Sequence, residues 1–479
     1  MYDVDLLLVN PGNRLEQFAN LNELATVAQP LGLAMLASFV RERGYSVAII
    51  DGEAEFWTPE RTVEEVCKYS PKLIGLSAFT TKMTSAGKIL KLIKEKMPDV
   101  KTVIGGHHAS AIPEHTLKNE AVDFVIKGEG FFPLVELLRA LEGKRRLDIG
   151  GLWWKTKDGF IARTDKERAD GIKDLDRLPF ASWDLLPMNK YRAHHWQAWN
   201  YNLDLSGFAI LYTSLGCPFS CEYCSVNVVY GEHFTRFRSP ENVVNEMRLL
   251  VEKYGVKYIE IIDDTFTLNT QKTKELCHRI IDSGLKLRMW CFARTDRVNP
   301  ELMSLMREAG IEWVFMGFEA GNDQVLKGVH KGQTVEQIKK AVDVVHSEGI
   351  NIGGNYVFGL PNDTIDTMKQ TLSLAQELNT EYANFFETMA YPGTKLYDVA
   401  KRKGYPLPER WGQYGFFAPD AVPMRNENLT SKEILDFRDK AFKRYFSSER
   451  YQSMIRRTFG QKIVDYINDN VLSKEIKRI

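Results

Sequence analysis

Apolar residues over the first 140 positions fall into two alternating patterns. Five short runs, DLLLV (5–9), SVAII (46–50), KLIGLS (72–77), KTVIG (101–105) and VDFVIK (122–127), have the length and composition of buried strands. Between them, LGLAMLASFVRERG, SAGKILKLIKEKM and GFFPLVELLRALEG place apolar residues at helical spacing. This alternation predicts a doubly wound, Rossmann-like parallel sheet over 1–142. Such sheets bind ligands at the carboxyl ends of their strands, here NPG (10–12), SAFTT (77–81), GGHHAS (105–110) and KGEG (127–130). Asn10, Ser77, Thr80, Gly105, Gly106, His107, Gly128, Glu129 and Gly130 are the candidate contacts there.

Residues 143–206 break the rhythm. GGLWWKTKDGFIART reads as a hairpin turning at Asp158-Gly159, and DLDRLPFASWDLLP as a linker with aromatic anchors. Over 207–403 the alternation resumes with FAILYTS (208–214), YIEII (258–262), RMWCFA (288–293), WVFMGFE (313–319), NIGGNYVFG (351–359) and YANFFE (382–387). Six βα units with short links predict a partial (β/α)6 barrel, whose active site lies at the strand carboxyl ends. From 404 to 479 the pattern is helical. Residues 431–479 carry 12 Lys and Arg against 7 Asp and Glu, with aromatics interleaved in FRDKAFKRYF and YQSMIRRTFG. That tail reads as helices packed on the barrel or, alternatively, as a surface for an apolar or membrane-held substrate.

Composition narrows the class. The 479 residues are 44% apolar, with 63 basic and 63 acidic side chains, so no global field draws the chain to nucleic acid or an anionic membrane. No apolar run approaches the roughly 20 residues of a transmembrane helix. The start, MYDVDLLLVN, lacks the basic segment of a signal peptide, and a cytoplasmic protein is expected.

The chemistry lies in GCPFSCEYCS (216–225). Cys217, Cys221 and Cys224 cluster within eight residues, whereas Cys67, Cys277 and Cys291 fall in apolar patterns that suit core packing. A structural zinc site takes four ligands, usually as Cys-x2-Cys pairs; here the spacing is x3 then x2, with His233 the nearest fourth candidate. An iron–sulfur cubane held by three thiolates leaves one iron open to a substrate or cofactor.

CPFSCEYC, directly after the first barrel strand, resembles the Cys-x3-Cys-x-aromatic-Cys loop of the radical S-adenosylmethionine (SAM) superfamily. The resemblance implies a 4Fe–4S cluster on Cys217, Cys221 and Cys224, with SAM chelating the open iron and cleaved to methionine and a 5′-deoxyadenosyl radical. It places Tyr223 against the adenine. Further contacts are implied for Asp263 and Asp264 in IIDDTFT, Arg294 in FARTD, Glu319 in GFEAG (ribose and amino group), and Gly354 and Gly359 in GNYVFGLP (adenine).

The first domain is similar to the cobalamin-binding module preceding this barrel in the branch of anaerobic magnesium-protoporphyrin monomethyl ester cyclases, hopanoid-tailoring enzymes and C- and P-methylases. The matching segments are PLGLAMLASFVRERG, IGLSAFTT, IGGHHAS and VIKGEG. One departure is plain: methionine-synthase-type domains carry Asp-x-His-x-x-Gly after the first strand, and residues 10–21 here hold no histidine. Cobalamin without a protein imidazole ligand is the expectation. The resemblance implies methylation of an unactivated carbon, or alternatively oxidative cyclisation of a tetrapyrrole or lipid-like substrate, with a flavodoxin or ferredoxin as electron donor. A cobalamin-sensing regulator lacks any DNA-binding element in this sequence, and a methylthiotransferase would need three further N-terminal cysteines where only Cys67 stands.

Overall fold

The computed structural model describes residues 2–18, 25–156, 158–231, 233–474 and 478. Strands β1 (Tyr2–Asn10), β2 (Val47–Asp51), β3 (Tyr69–Ser77), β4 (Lys101–Gly105) and β5 (Phe124–Ile126) form a parallel sheet in the order β2-β1-β3-β4-β5. The near-continuous apolar run of β1 reflects burial on both faces. Leu6 and Leu8 meet Leu33, Phe39 and Leu134 on one side, while Leu7 and Val9 meet Val63, Ile89 and Ile104 on the other. The expected hairpin forms as β6 (Leu152–Lys155) and β7 (Ile161–Arg163), but it is no linker. β6 pairs antiparallel with β5, extending the sheet to seven strands and covering what would be an exposed edge.

The second sheet holds β8 (Phe208–Leu211), β11 (Tyr258–Ile261), β12 (Arg288–Ala293), β13 (Ile311–Glu319), β14 (Asn351–Phe358) and β15 (Tyr382–Glu387), all parallel and in chain order. Its helices start where polar caps stand: the Ser239 hydroxyl accepts from the Asn242 N–H, and Thr334 and Gln337 form a reciprocal box. Between β8 and β11 a short antiparallel pair, β9 (Ser214–Leu215) and β10 (Arg236–Phe237), closes the base of the cysteine loop. Such two-residue strands carry no readable period.

Gln29, 3% exposed, borders β8: its amide donates to the Phe208 carbonyl at 2.7 Å and accepts from the Ile210 N–H at 3.1 Å. The stretch read as a linker also enters the barrel from below. The 3-10 helix His195–Tyr201 sends Trp196 among Trp290, Trp313 and Phe315, with centroids 5.1, 5.0 and 4.5 Å away.

In the tail, helices Ser431–Phe446 and Glu449–Phe459 bury Tyr445, Phe446, Tyr451 and Ile455. The interleaved aromatics pack on the barrel, with Phe437, Phe442 and Phe459 half-buried beside them. No helix among the described residues is long and apolar enough to cross a membrane. The stretch before these helices reaches back to the first domain, where Trp411 packs edge-on against His108 at 4.4 Å.

Candidate active site between two sheets

The cysteine loop leaves β8 at the barrel mouth. Cys217 and Cys221 are half-buried and Cys224 is exposed. Burial pushes the Cys217 thiol up, and the Cys221 thiol beside it adds to the rise. Thiols in this state do not ionise unaided; a bound metal deprotonates them outright. Among the described residues no three Cys, His, Asp or Glu side chains converge on a point, as one tetrahedral ion requires. A cubane places each thiolate on a different iron, and three thiolates leave one iron open, which this donor set fits. His233 faces the Phe219 carbonyl (3.0 Å) and the Asn227 amide (2.9 Å), which orders the loop without supplying a fourth ligand.

Glu319 ends β13 with φ of 56°, in the left-handed region that a non-glycine residue rarely occupies. Its Oε1 accepts from the Tyr223 hydroxyl at 2.5 Å and from Lys331 Nζ at 2.5 Å, while Oε2 is buried with no partner. Burial, then Glu319, holds the Tyr223 phenol well above its ordinary range, so it donates as a neutral hydroxyl. Tyr223 and Glu319 therefore share one network at the mouth, with an acceptor left over for a ligand's amine or hydroxyl. Lys331 carried no signal in the sequence beyond its place before a helix.

The other expected SAM contacts divide. Arg294 lies 3.7 Å over the Phe219 ring and donates to Asp296 and the Lys331 carbonyl, clamping the cysteine loop to β12 and the Glu319 network. The Asp264 residue surface is open, yet protein atoms surround its carboxyl; that desolvation, with Asp263 beside it, pushes it up to about 7. Asp263 does not face the mouth. It is 1% exposed and accepts from the Thr213 N–H (2.7 Å), Thr213 Oγ1 (2.5 Å) and Ser214 Oγ (2.6 Å), fixing the turn from which the cysteine loop departs. Gly354 and Gly359 leave no room for a side chain, which bears on packing and not on their backbone. A methyl group at Gly354 would press the Phe318 and Tyr356 rings, and one at Gly359 (φ 79°) would strike Ile434 at 2.5 Å.

The carboxyl edge of the first sheet is built differently. Asn10 is turned inward: its amide donates to Asp51 at 2.7 Å, and Asp51 also accepts from the Tyr191 hydroxyl at 2.7 Å. Thr80 Oγ1 lies 3.3 Å from His108 Nδ1, and the Gly128 N–H donates to Ser110 Oγ at 3.1 Å. Glu129 faces away from this edge. It forms a buried two-point pair with Arg236 on β10 and accepts from the Ile172 N–H, tying the KGEG turn to the base of the cysteine loop. Gly130 adjoins Leu36.

Backbone and flat rings remain at the edge. Gly105 is open. Gly106 has φ of 90°, and a methyl there would sit 2.7 Å from Ser77 Oγ. Phe79, 58% exposed, stacks on His107 at 4.9 Å. Burial lowers His107 to about 4 and His108 to about 3, so both imidazoles are neutral near pH 7. Asn13, absent from the sequence reading, leaves its buried Oδ1 without a partner just past β1. This is the β1/β3 switch point where sheets of this order take large ligands. Bare backbone, exposed rings and an orphan acceptor fit a broad, mostly apolar cofactor. Residues 19–21 of the first loop lie outside the described residues.

The two edges face each other. A methyl at Gly393, in the loop after β15, would meet Val228 behind the cysteine loop at 2.7 Å and Ala111 of the first domain at 3.0 Å. That opposition of an iron–sulfur barrel and a cofactor-binding sheet defines a two-centre radical enzyme.

Comparison with known proteins agrees. A B12-binding domain model matches residues 19–138 and a radical SAM superfamily model residues 211–375. An uncharacterized methyltransferase of Pyrococcus horikoshii is 34% identical over 420 residues, covering 88% of each chain. The anaerobic magnesium-protoporphyrin IX monomethyl ester cyclase of Rubrivivax gelatinosus is 28% identical over 437 residues, covering 90% of this chain and 76% of that protein. The chain belongs to the cobalamin-dependent radical SAM methyltransferase family, and its cofactors are cobalamin, SAM and a 4Fe–4S cluster. Among solved structures, the radical SAM methyltransferase TsrM of Kitasatospora setae shares the fold, with a TM-score of 0.65 at 20% identity over 83% of this chain and 76% of that one.

Proposed function

We propose that the protein methylates an unactivated carbon of a small molecule at the junction of its two sheets. The carrying observation is the opposition itself: the cysteine loop and the bare edge of the first sheet meet across Gly393, Val228 and Ala111. When bound, the three cofactors supply a hydrogen-abstracting radical and a transferable methyl group. The chain's own part is to hold them in register and exclude water.

In this reading Cys217, Cys221 and Cys224 hold the cluster, and Glu319 Oε2 takes a SAM donor while Lys331 and Tyr223 fix Oε1. Arg294 positions the loop through Phe219. Ser77, Phe79, Gly105, Gly106 and His107 present the surface for cobalamin. A flavodoxin or ferredoxin delivers the electron. Oxidative cyclisation shares this machinery, but the family relatives include methyltransferases of several substrates, among them a cytidylyl-2-hydroxyethylphosphonate methyltransferase of Streptomyces wedmorensis, 26% identical over 448 residues. Anaerobic turnover of a cell extract with CD3-labelled SAM tests the proposal: a metabolite gaining three deuterons supports it, and a dehydrogenated, unlabelled product favours cyclisation.

A further inference from the structure

Strand register defines the inner face of the half-barrel. Glu260 on β11 lies opposite Trp290 on β12, Phe292 opposite Phe315 on β13, and Gly317 and Asn384 flank Asn355 on β14. Side chains in register across parallel strands share a face, and Trp196 of the plug, packed on Trp290 and Phe315, marks it as the inside. Toward the mouth, inward Phe292, Asn355, Val357, Asn384 and Phe386 are half-exposed, while the outward residues Cys291, Tyr356 and Phe385 between them are buried. Strands more open inside than outside surround a hollow. It opens toward the cysteine loop, and the plug closes it below.

The floor of this hollow holds polar atoms without partners. Glu260 Oε2 is buried and accepts no hydrogen bond, with His194 Nε2 3.7 Å away. Trp290 Nε1 and both amide atoms of Gln197, a residue 2% exposed, are unpaired as well. Other buried acids are satisfied: Glu387 by Arg438, Glu129 by Arg236, and Glu246 by Trp183 and Arg238. Among the described residues, one other carboxylate oxygen is buried and unpartnered, Glu319 Oε2 at the mouth. A lone buried acceptor costs about 1–3 kcal/mol, and the charged form costs more. The fold leaves two such oxygens, one at each end of the hollow.

Charge and shape select the ligand. Among the described residues the inner face above the plug carries no lysine or arginine: Arg288, lowest on β12, is turned onto the Tyr201 ring at 3.3 Å and the Tyr258 hydroxyl at 3.1 Å. The rim cations Lys331 and Arg294 are held by Glu319 and Asp296. Phe292 and Phe386, half-exposed toward the mouth, give the walls flat apolar faces, which hold rings and cations. We infer that this hollow binds the substrate and that its floor, Glu260 with His194 and Gln197, takes a protonated amine on a compact, ring-bearing molecule. Calling that ligand the substrate rests on the proposed methylation; the amine preference rests on the hollow alone. An anionic substrate would set its charge against Glu260.

The test uses the full-length, anaerobically reconstituted protein and matched probes: benzylamine, phenethylamine and tryptamine, with the carboxylates of the same ring frames. Equilibrium dialysis is expected to show at least one amine binding roughly tenfold or more tighter than its carboxylate. Glu260→Gln should bring the ratio near one, and Gln197→Leu, which keeps the carboxylate, should lower amine affinity by a smaller factor. If Glu260→Gln does not fold, the wild-type ratio and Gln197→Leu decide. No amine preference in any pair, as expected of a floor filled by water alone, overturns the inference; so does a preference that both variants leave unchanged. Labelled methyl transfer is measured separately. Its absence beside an intact amine preference counts against methylation and not against the floor. Methyl transfer beside amine indifference counts against the floor alone.

Discussion

The two facing edges solve opposite recognition problems. At the barrel mouth the charged side chains are buried and braced by partners: Glu319 by Lys331 and Tyr223, Arg294 by Asp296 and Phe219. At the sheet edge the polar side chains turn toward one another, as in Asn10–Asp51–Tyr191 and Thr80–His108, and leave backbone and rings outward. A small zwitterion such as SAM is held by aimed charges. A corrinoid, far broader, needs a smooth platform, and each outward charge there would have to be desolvated beneath it. Fixed charge marks one site and its removal from the surface marks the other.

The comparison breaks most completely at the cysteines. Changing Cys217, Cys221 and Cys224 together to Ala should abolish cluster iron and SAM cleavage while cobalamin is still retained, as iron assay and the visible spectrum would show. If zinc copurifies with the wild type and reconstitution adds no iron, the cluster assignment is lost. Next in size is Glu319→Gln. Losing an ionic hydrogen bond of about 1.5–3 kcal/mol should weaken SAM binding roughly 10- to 150-fold, with cobalamin and iron unchanged. Equal SAM affinity in the variant would remove Glu319 from the site.

On the other edge, Gly106→Ala forces a side chain into positive φ and against Ser77. It should lower stability by about 1–3 kcal/mol and cut cobalamin retention, leaving the iron content unchanged. Loss of iron in place of cobalamin would contradict the division between the edges.

Much of this was legible beforehand, for a physical reason. Strands buried on both faces read as apolar runs, so each of the eleven parallel strands overlaps an expected segment, although β1, β3 and β13 start two or three residues earlier, and the thiol spacing fixed the loop. The commitments of individual polar residues were not legible. Glu129 and Asp263 stand at strand ends where a ligand contact was expected, but their partners are Arg236, 107 positions away, and Thr213, 50 positions away. At Gly354 and Gly359 the packing against the Phe318 and Tyr356 rings and Ile434 was not legible either. Lone pairings between distant elements leave no period, which is also why Lys331, Asn13 and the floor around Glu260 were missed.

The histidines act on the whole fold, through pH, and on neither edge alone. His107, His108 and His195 are all lowered by burial, to about 4, 3 and 3. The unfolded chain binds protons near pH 6.5 that the folded one refuses, so stability is full above that pH and falls as pH drops toward 4, by about 1.4 kcal/mol per unit for each ring. Urea midpoints from pH 8 to 5 would show the fall, and His108→Phe should reduce its slope. Smallest is the expected null at cobalt: electron paramagnetic resonance of the Co(II) form should show no axial nitrogen splitting, in the wild type or in His107→Ala or His108→Ala. Splitting that vanishes in either variant would place an imidazole beneath the metal.

Gln29 gives the pairing of the two domains a meaning in heredity. An unfinished barrel has a raw edge at β8, and the amide of one residue from the other domain stands in for the missing neighbour there, bonding on either side of Ala209. A barrel cut free of its companion would display that edge to other copies and associate through it. The two halves are thus not interchangeable modules on a string. A gene that lost the first domain would encode a barrel with this edge uncovered.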